Sequence, residues 1–270
     1  MLHKCFAIAG RRYWLSLFFG IGLSLSACAQ SSPTVPILIG GDADANEASV
    51  PLSSGVAQLL DYLQTETRLK FDVRTMQWKR ALLAAQQGQG ILYGAAITAE
   101  RLQTLQFSTA IYAEYVWLVT RCDQQFPYQQ LNDLRGKTIG MLGASSFGAE
   151  IDAAKDHLFK TDYDMNNSRA RFQKLLKRRT DAVLIYSQHQ DIQFLTDELN
   201  QRYGSLAKNE AATLRKQAFC VLPQPAATTP LHFAVATGAY GSELKLINQA
   251  LSKARQNGQL QAMFRTQSKP

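Results

Sequence analysis

Val35-Pro36-Ile37-Leu38-Ile39-Gly40-Gly41 is a short apolar run closed by two glycines, the pattern of a buried strand. Downstream of it, Val56, Leu59, Leu60 and Leu63 recur at helical spacing within Gly55–Thr67, and Leu69–Arg74 alternates as a strand does. Trp78–Gln87 is rich in Ala and Leu and stops at Gly88 and Gly90, a helix with its terminator, and Ile91–Ala96 is strand-like again. Strand, helix, strand, helix, strand in that order predicts a parallel α/β lobe, because parallel neighbours need a crossover between them.

Further out, Tyr112–Thr120 (Tyr-Ala-Glu-Tyr-Val-Trp-Leu-Val-Thr) is the longest aromatic and β-branched run, and it leads into a second α/β series. There Lys137–Leu142 and Asp181–Tyr186 read as strands, with helices at Ser146–His157, at Ala170–Arg178 and on to about Leu199. Ala218–Leu222 and Leu231–Thr237 read as strands. Ser242–Asn257 and Gly258–Thr266 read as helices, the first with Leu244, Ile247 and Leu251 on one face. Basic residues crowd Arg169–Arg179, but Phe172, Leu175 and Leu176 fit a buried stripe and stacking aromatics are not interleaved. A solvated helix face is the expectation there.

The chain has 270 residues, 46% hydrophobic and 19% charged, enough to bury a core and better suited to two linked lobes than to one. Lys and Arg total 29 against 21 acids, a net charge of +8. Lys4, Arg11 and Arg12 lie in residues 1–27, which hold no acid, so the remaining 243 residues carry 26 basic and 21 acidic side chains. A net +5 is too mild for an electrostatic case for nucleic acid. The absence of a sustained heptad, a Gly-X-Y period or a repeat of roughly 20–50 residues excludes coiled coil, collagen and solenoid.

Residues 1–27 place three positive charges before the apolar run Tyr13–Ala27, which exits through small residues and is shorter than the about 20 residues a spanning helix needs. That order predicts a signal peptide over 1–27. Leu25-Ser26-Ala27-Cys28 resembles the lipobox of bacterial lipoproteins, which implies diacylation of Cys28 and a periplasmic protein anchored to the membrane by lipid. The competing reading is cleavage after Ala29, since Ala27-Cys28-Ala29 satisfies the small-residue rule as well. With Cys5 removed and Cys28 consumed, Cys122 and Cys220 remain in an oxidising compartment, where they either pair as a disulfide or are buried separately.

Catalytic and cofactor signatures are missing. His157, His189 and His232 are scattered without HExxH or CxxC spacing, and there is no GxSxG, GxGxxG or GxxxxGK[ST] segment. Asp42, Asp44 and Glu47 are read as solvated loop carboxylates rather than a cation site. No catalytic residue, metal or cofactor is expected.

Several short segments, weak singly, are specific in their order. They are Gly55-Val56 with Leu59-Leu60, Trp78 with Arg80-Ala81-Leu82 and Gly88, Ile97-Thr98-Ala99-Glu100-Arg101, and Phe107-Ser108 with Ile111-Tyr112. Leu131-Asn132-Asp133-Leu134-Arg135-Gly136-Lys137-Thr138-Ile139-Gly140, Asp181-Ala182-Val183, Ile247-Asn248-Gln249-Ala250-Leu251 and Asn257-Gly258 follow. Together they resemble the family 3 extracellular solute-binding proteins, periplasmic components of polar amino acid transporters. The ligand-binding core of ionotropic glutamate receptors is similar. The resemblance implies an α/β, two-lobe periplasmic-binding-protein-like (type II) fold with two hinge-crossing strands, near Tyr112–Cys122 and His232–Thr237. Lobe 1 would be residues 30–119 plus 235–270 and lobe 2 residues 120–234, with Cys122 and Cys220 both on the hinge side of lobe 2.

Carried over singly, Arg101 of the Thr-x-Glu-Arg segment matches the family's ligand-carboxylate clamp, for which a planar two-donor guanidinium is suited. Thr98 belongs to the same pocket segment. Ser145-Ser146-Phe147 after Gly143-Ala144 matches the family's Gly-Thr-Thr turn, an anion site made of helix N-terminal N–H groups and a hydroxyl. Three departures stand beside these. Ala96 replaces the usual Ser or Thr hydroxyl, Tyr186 stands where the acid for an α-ammonium belongs, and Asp42–Pro51 lacks the aromatic lid cue. The ligand is therefore expected to be anionic, carboxylate-bearing, or aromatic and stacked near Tyr186 or Trp78, rather than a standard polar amino acid. The implied role is solute capture by a monomeric binding (lipo)protein for an ABC permease. A sensor of the same fold is the alternative, and a dehydratase-like enzyme on cyclic carboxylates lacks an assignable general acid.

Overall fold

The computed structural model describes residues 34–41, 52–164 and 167–265. Residues 1–27, expected to be a signal peptide, Cys28, and Asp42–Pro51 with its three acids lie outside the described residues. Among the described residues no helix is long and apolar enough to cross a membrane.

β1 (Thr34–Gly41) pairs in parallel with β2 (Lys70–Gln77) on one side and β3 (Ile91–Ala95) on the other. The crossovers are α1 (Ser54–Thr67) and α2 (Trp78–Gln86), which cover opposite faces. Ile37 packs with Leu59 and Leu63 of α1, whereas Leu38 packs with Ala81 and Ala85 of α2. Covering on both faces explains why Val35–Ile39 reads as continuously apolar. Ser53 caps α1, its hydroxyl accepting the Val56 N–H.

The remaining strands are β4 (Leu105–Phe107), β5 (Tyr112–Arg121), β6 (Thr138–Leu142), β7 (Lys160–Asp164), β8 (Ala182–Ser187), β9 (Phe219–Val221) and β10 (Ala227–Ala236). The strand path runs β2-β1-β3-β10-β5-β8-β6-β7, with β4 on β10 and β9 on β5. β10 links the two halves. Its residues His232–Ala236 pair antiparallel with β3 and β4, while Ala227–Leu231 pair with Val116–Tyr112 of β5. The strand expected over Leu231–Thr237 thus begins earlier, and the added residues are those that meet β5.

In the second half β6 is flanked in parallel by β7 and β8, and β5 runs antiparallel to β8 and β9. One face is filled by Trp117, Phe172, Tyr203 and Phe219, the other by Val116, Phe147, Ile151 and Leu184. The helices are α3 (Ala149–Ala154), α4 (Ser168–Leu176), α5 (Ile192–Tyr203) and α6 (Ala212–Lys216). α7 (Gly241–Gln256) and α8 (Gln259–Arg265) then return to pack on α1. Cys122, just beyond β5, is disulfide-bonded to Cys220 of β9, with Cα atoms 4.9 Å apart.

Two expectations are corrected. The helix read at Ser146–His157 is confined to Ala149–Ala154, because Gly148 at φ 105 breaks the helical path ahead of it. The basic segment is not wholly solvated. Arg171 is buried and donates to Ser168 Oγ at 2.6 Å, and Lys174 pairs with Asp162 and Asp164.

Candidate functional site

A cavity of about 530 Å³ lies where the strand ends of the two halves converge. Gly40 and Gly41 at the end of β1, Gly94 on β3, Leu142 on β6 and Tyr186 on β8 all face it. Carboxyl ends of parallel strands are the usual ligand position in open α/β sheets. Of the residues singled out from the sequence, Trp78, Ala96, Arg101, Ser145, Ser146, Phe147 and Tyr186 line the cavity, and Thr98 does not. Thr98 acts indirectly: its Oγ1 accepts the Arg101 N–H at 3.1 Å and fixes the short 3-10 turn Arg101–Gln103.

Arg101 is only 4% exposed. Its Nη1 donates to the Ala96 carbonyl at 2.7 Å and its Nη2 to the Ala144 carbonyl at 2.9 Å. Trp78 Nε1 donates to the same Ala144 oxygen at 2.9 Å, and the guanidinium carbon sits 5.4 Å from the Trp78 ring centroid. A guanidinium carries five N–H donors, so these bonds engage two of them. Burial lowers the Arg101 pKa, while Tyr186, Asp152 and Glu100 raise it again. Trp78 reaches this position because Gly40 has no side chain: a Cβ there would come within 2.4 Å of Trp78 Cε3.

The opposite wall is the loop before α3. Asp152 of α3 accepts the Phe147 N–H on Oδ1 at 3.1 Å and the Ser146 hydroxyl on Oδ2. Lys155 pairs with the same carboxylate at 2.5 Å. The Gly143 N–H goes to Asp164 O and the Ser145 N–H to Leu142 O. The chain's own carboxylate therefore occupies donors that the sequence reading offered to a ligand. Tyr186 donates its hydroxyl to Ser146 O and stacks on Phe147 with centroids 4.9 Å apart and planes 8° apart.

A third wall, at the β3–β5–β8 end, was not read from sequence. Tyr93 Oη donates to Tyr112 Oη at 3.0 Å, and Tyr112 Oη donates to Glu114 Oε1 at 3.3 Å. The Gln188 side chain lies beside both. Burial pushes the Glu114 carboxyl up to about 7, held there against the lowering bonds from Tyr112 and Gln188. Both tyrosine hydroxyls are raised, chiefly by burial. The available signal was Glu114 itself, the lone charge within Tyr112–Thr120 and on the same strand face as Tyr112. Elsewhere on the cavity wall the charges are Arg171, Arg202 and Glu198. Among the described residues no group of three His, Cys, Asp or Glu side chains could hold a metal ion.

No curated protein sequence is significantly similar to the chain. Several solved structures share its fold. An amino acid ABC transporter substrate-binding protein from Streptococcus pneumoniae, bound to L-arginine, is 16% identical with a TM-score of 0.62, covering 86% of this chain and 93% of that one. The GluR0 ligand-binding core from Nostoc punctiforme, in complex with L-glutamate, is 16% identical with a TM-score of 0.62, covering 87% and 100%. A histidine kinase sensor domain with similarity to periplasmic binding proteins gives 16%, 0.63, 85% and 93%. Residues 55–266, nearly the whole described chain, match one family, and the protein belongs to the bacterial extracellular solute-binding proteins, family 3.

Proposed function

We propose that the chain is an exported receptor, anchored by lipid at Cys28 after loss of residues 1–27, that captures a small carboxylate-bearing solute for an ABC permease. It acts as a monomer and not as an enzyme. The lobes are residues 30–119 with 235–270 and residues 120–234. The pairing of Tyr112–Val116 with Ala227–Leu231 supports a seam within a strand's length of those bounds.

The observation that carries this reading is Arg101. A buried guanidinium on the cavity wall, joined to carbonyls from both halves, keeps further N–H donors for a carboxylate. Charge-assisted bonds of this kind contribute about 1.5–3 kcal/mol each. Capture needs only a higher affinity of the closed form for the solute. The likeness to a kinase sensor domain favours signalling as the second reading. Co-purification with a permease supports uptake, and co-purification with a sensor kinase supports signalling.

The test is a thermal-shift screen against organic acids, amino acids and peptidoglycan fragments. A ligand at 100 times its Kd stabilises by about 2.7 kcal/mol. Arg101→Ala is expected to abolish that shift while the protein stays folded; an undiminished shift refutes the clamp.

A further inference from the structure

Glu114 is the only charged residue in the strand pair that joins the two halves. It lies on β5 opposite Thr229 of β10, inside the ladder of Tyr112–Val116 with Ala227–Leu231. Its side chain faces the cavity, so the exposure it keeps is to the space between the halves rather than to bulk solvent. Walls from both sides of the seam close around it. Tyr93, from β3 of the first half, donates to Tyr112, which donates to Glu114 Oε1. From the second half Tyr186 of β8 lies near, and Gln188 just beyond that strand turns its amide N–H toward the carboxyl. Thr229 and Leu231, facing it from β10, are buried and carry no charge. Arg101, Arg171, Arg202 and His189 line the same cavity, but none is among the groups that act on this carboxyl. Glu198 is the other acid on the wall among the described residues.

A lone carboxyl in such a place avoids a charge out of water in one of two ways: it keeps its proton, or it reaches water. With the halves shut only the first is open to it. Burial accordingly pushes the Glu114 carboxyl up to about 7, against the lowering influence of Tyr112 and Gln188. The two tyrosines suit either form, because a hydroxyl both donates and accepts, and an acid proton on Glu114 reverses both bonds without breaking them. Opening parts the Tyr93 wall from the Gln188 wall, admits water and removes the penalty on the anion.

We propose that Glu114 is a proton-operated lock on the hinge: as the neutral acid it lets the halves stay shut over the cavity, and as the carboxylate it drives them toward the open form. The closed form binds the Glu114 proton more tightly than the open form, so protonation favours closure. That preference is complete below the ordinary carboxylate value of 4.5, shrinks by up to about tenfold per pH unit, and is gone once pH has risen through about 7. A solute held only by the closed form therefore binds more weakly as pH rises and the closed fraction falls. An anionic solute sharpens the effect, since it and an ionised Glu114 repel each other within one cavity. This control acts on the cavity read as capturing a carboxylate-bearing solute and rests on that reading for its role, but its measurement needs no solute, so the two fail separately.

The ligand-free protein, carrying 13C at its glutamate carboxyls, is titrated by NMR from pH 4 to pH 9. One carboxyl is expected to titrate near 7, and to be the signal missing from Glu114→Gln. Spin labels at Leu83 and Tyr163, exposed on the two halves, report opening. In the parent the ratio of long to short separations should rise at least about tenfold from pH 5 to pH 8. Glu114→Gln, fixed in the neutral form, should match the parent at pH 5 and stay there at pH 8. Tyr112→Phe guards against a Glu114 variant that does not fold. It removes a donor that lowers the Glu114 titration, so the carboxyl signal and the opening should move together to higher pH. A Glu114 carboxyl that titrates near 4.5 overturns the lock. A parent whose distances ignore pH does the same, and so does an opening that persists unchanged in Glu114→Gln or fails to follow the carboxyl in Tyr112→Phe.

Discussion

Asp152 holds the cavity loop from behind. It accepts the N–H of Phe147, which is 1% exposed, and the hydroxyl of Ser146, and it pairs with Lys155. This explains why a segment that reads as a helix from Ser146 is a loop up to Gly148: the carboxylate satisfies the loop's donors in place of helical carbonyls. Asp152→Ala leaves the buried Phe147 N–H without its partner. A loss of about 1–3 kcal/mol in urea unfolding is expected, with weaker binding of any ligand that touches the Ser145–Phe147 wall. Unchanged stability would mean that stacking on Tyr186 alone positions the loop. At this scale the sequence was legible as to place: Arg101 and the Ser145–Phe147 turn line the cavity, as expected of them. It was illegible where a role depends on a distant partner. Nothing local ties Tyr93 to Tyr112, which come from separate strands.

Among the elements, apolar strands and amphipathic helices were readable because their periodicity is a consequence of the burial they undergo. Leu244, Ile247 and Leu251 are all buried on α7, as their spacing requires. β7 escaped because Lys-Thr-Asp-Tyr-Asp at the sheet edge buries little, and β4 because three residues carry no period. β9 is equally short yet well fixed. The Asn200 Nδ2 of α5 donates to Phe219 O at 2.7 Å, and its Oδ1 accepts from the N–H groups of Ala218 and Phe219. The disulfide joins the same strand to the end of β5 across 98 residues. Removing it enlarges the freedom of the unfolded chain more than it alters the fold, since Asn200 keeps β9 in place. A Cys122→Ala, Cys220→Ala double variant is expected to lose about 2–5 kcal/mol of stability and to retain its secondary structure by circular dichroism. Reductant should bring the parent down to the variant and leave the variant itself unmoved. A variant as stable as the oxidised parent would remove the cross-link from the stability of this half.

For the whole molecule the decisive feature is that, among the described residues, two hydrogen bonds across the cavity converge on a single atom. Trp78, at the start of α2, and Arg101, beyond β3, belong to the first half; the Ala144 carbonyl that both address belongs to the second. Ala144 holds φ at 60°, in the left-handed region, where a residue with a side chain is strained. On the other side of the seam, β5 and β10 are tied by a continuous ladder, and the segment leading into β5 is anchored by Asn248, whose Oδ1 accepts the Thr109 N–H at 2.7 Å. One side is thus laced by backbone pairing and the other by two donors on one oxygen. Any opening of the molecule should occur on the second side, with β5 and β10 as its hinge. Trp78→Phe removes one donor and keeps an aromatic ring beside Gly40. A net hydrogen-bond contribution of about 1 kcal/mol corresponds to roughly a fivefold shift in a two-state equilibrium, toward open forms. Spin labels at Leu83 and Tyr163, exposed residues of the two halves, can report it. The variant's distance distribution should gain weight at long separations, and saturating ligand should reverse the change. Identical distributions in variant and parent would show that Arg101 alone holds the halves together, and the double replacement of Trp78 and Arg101 should then open what the single one does not.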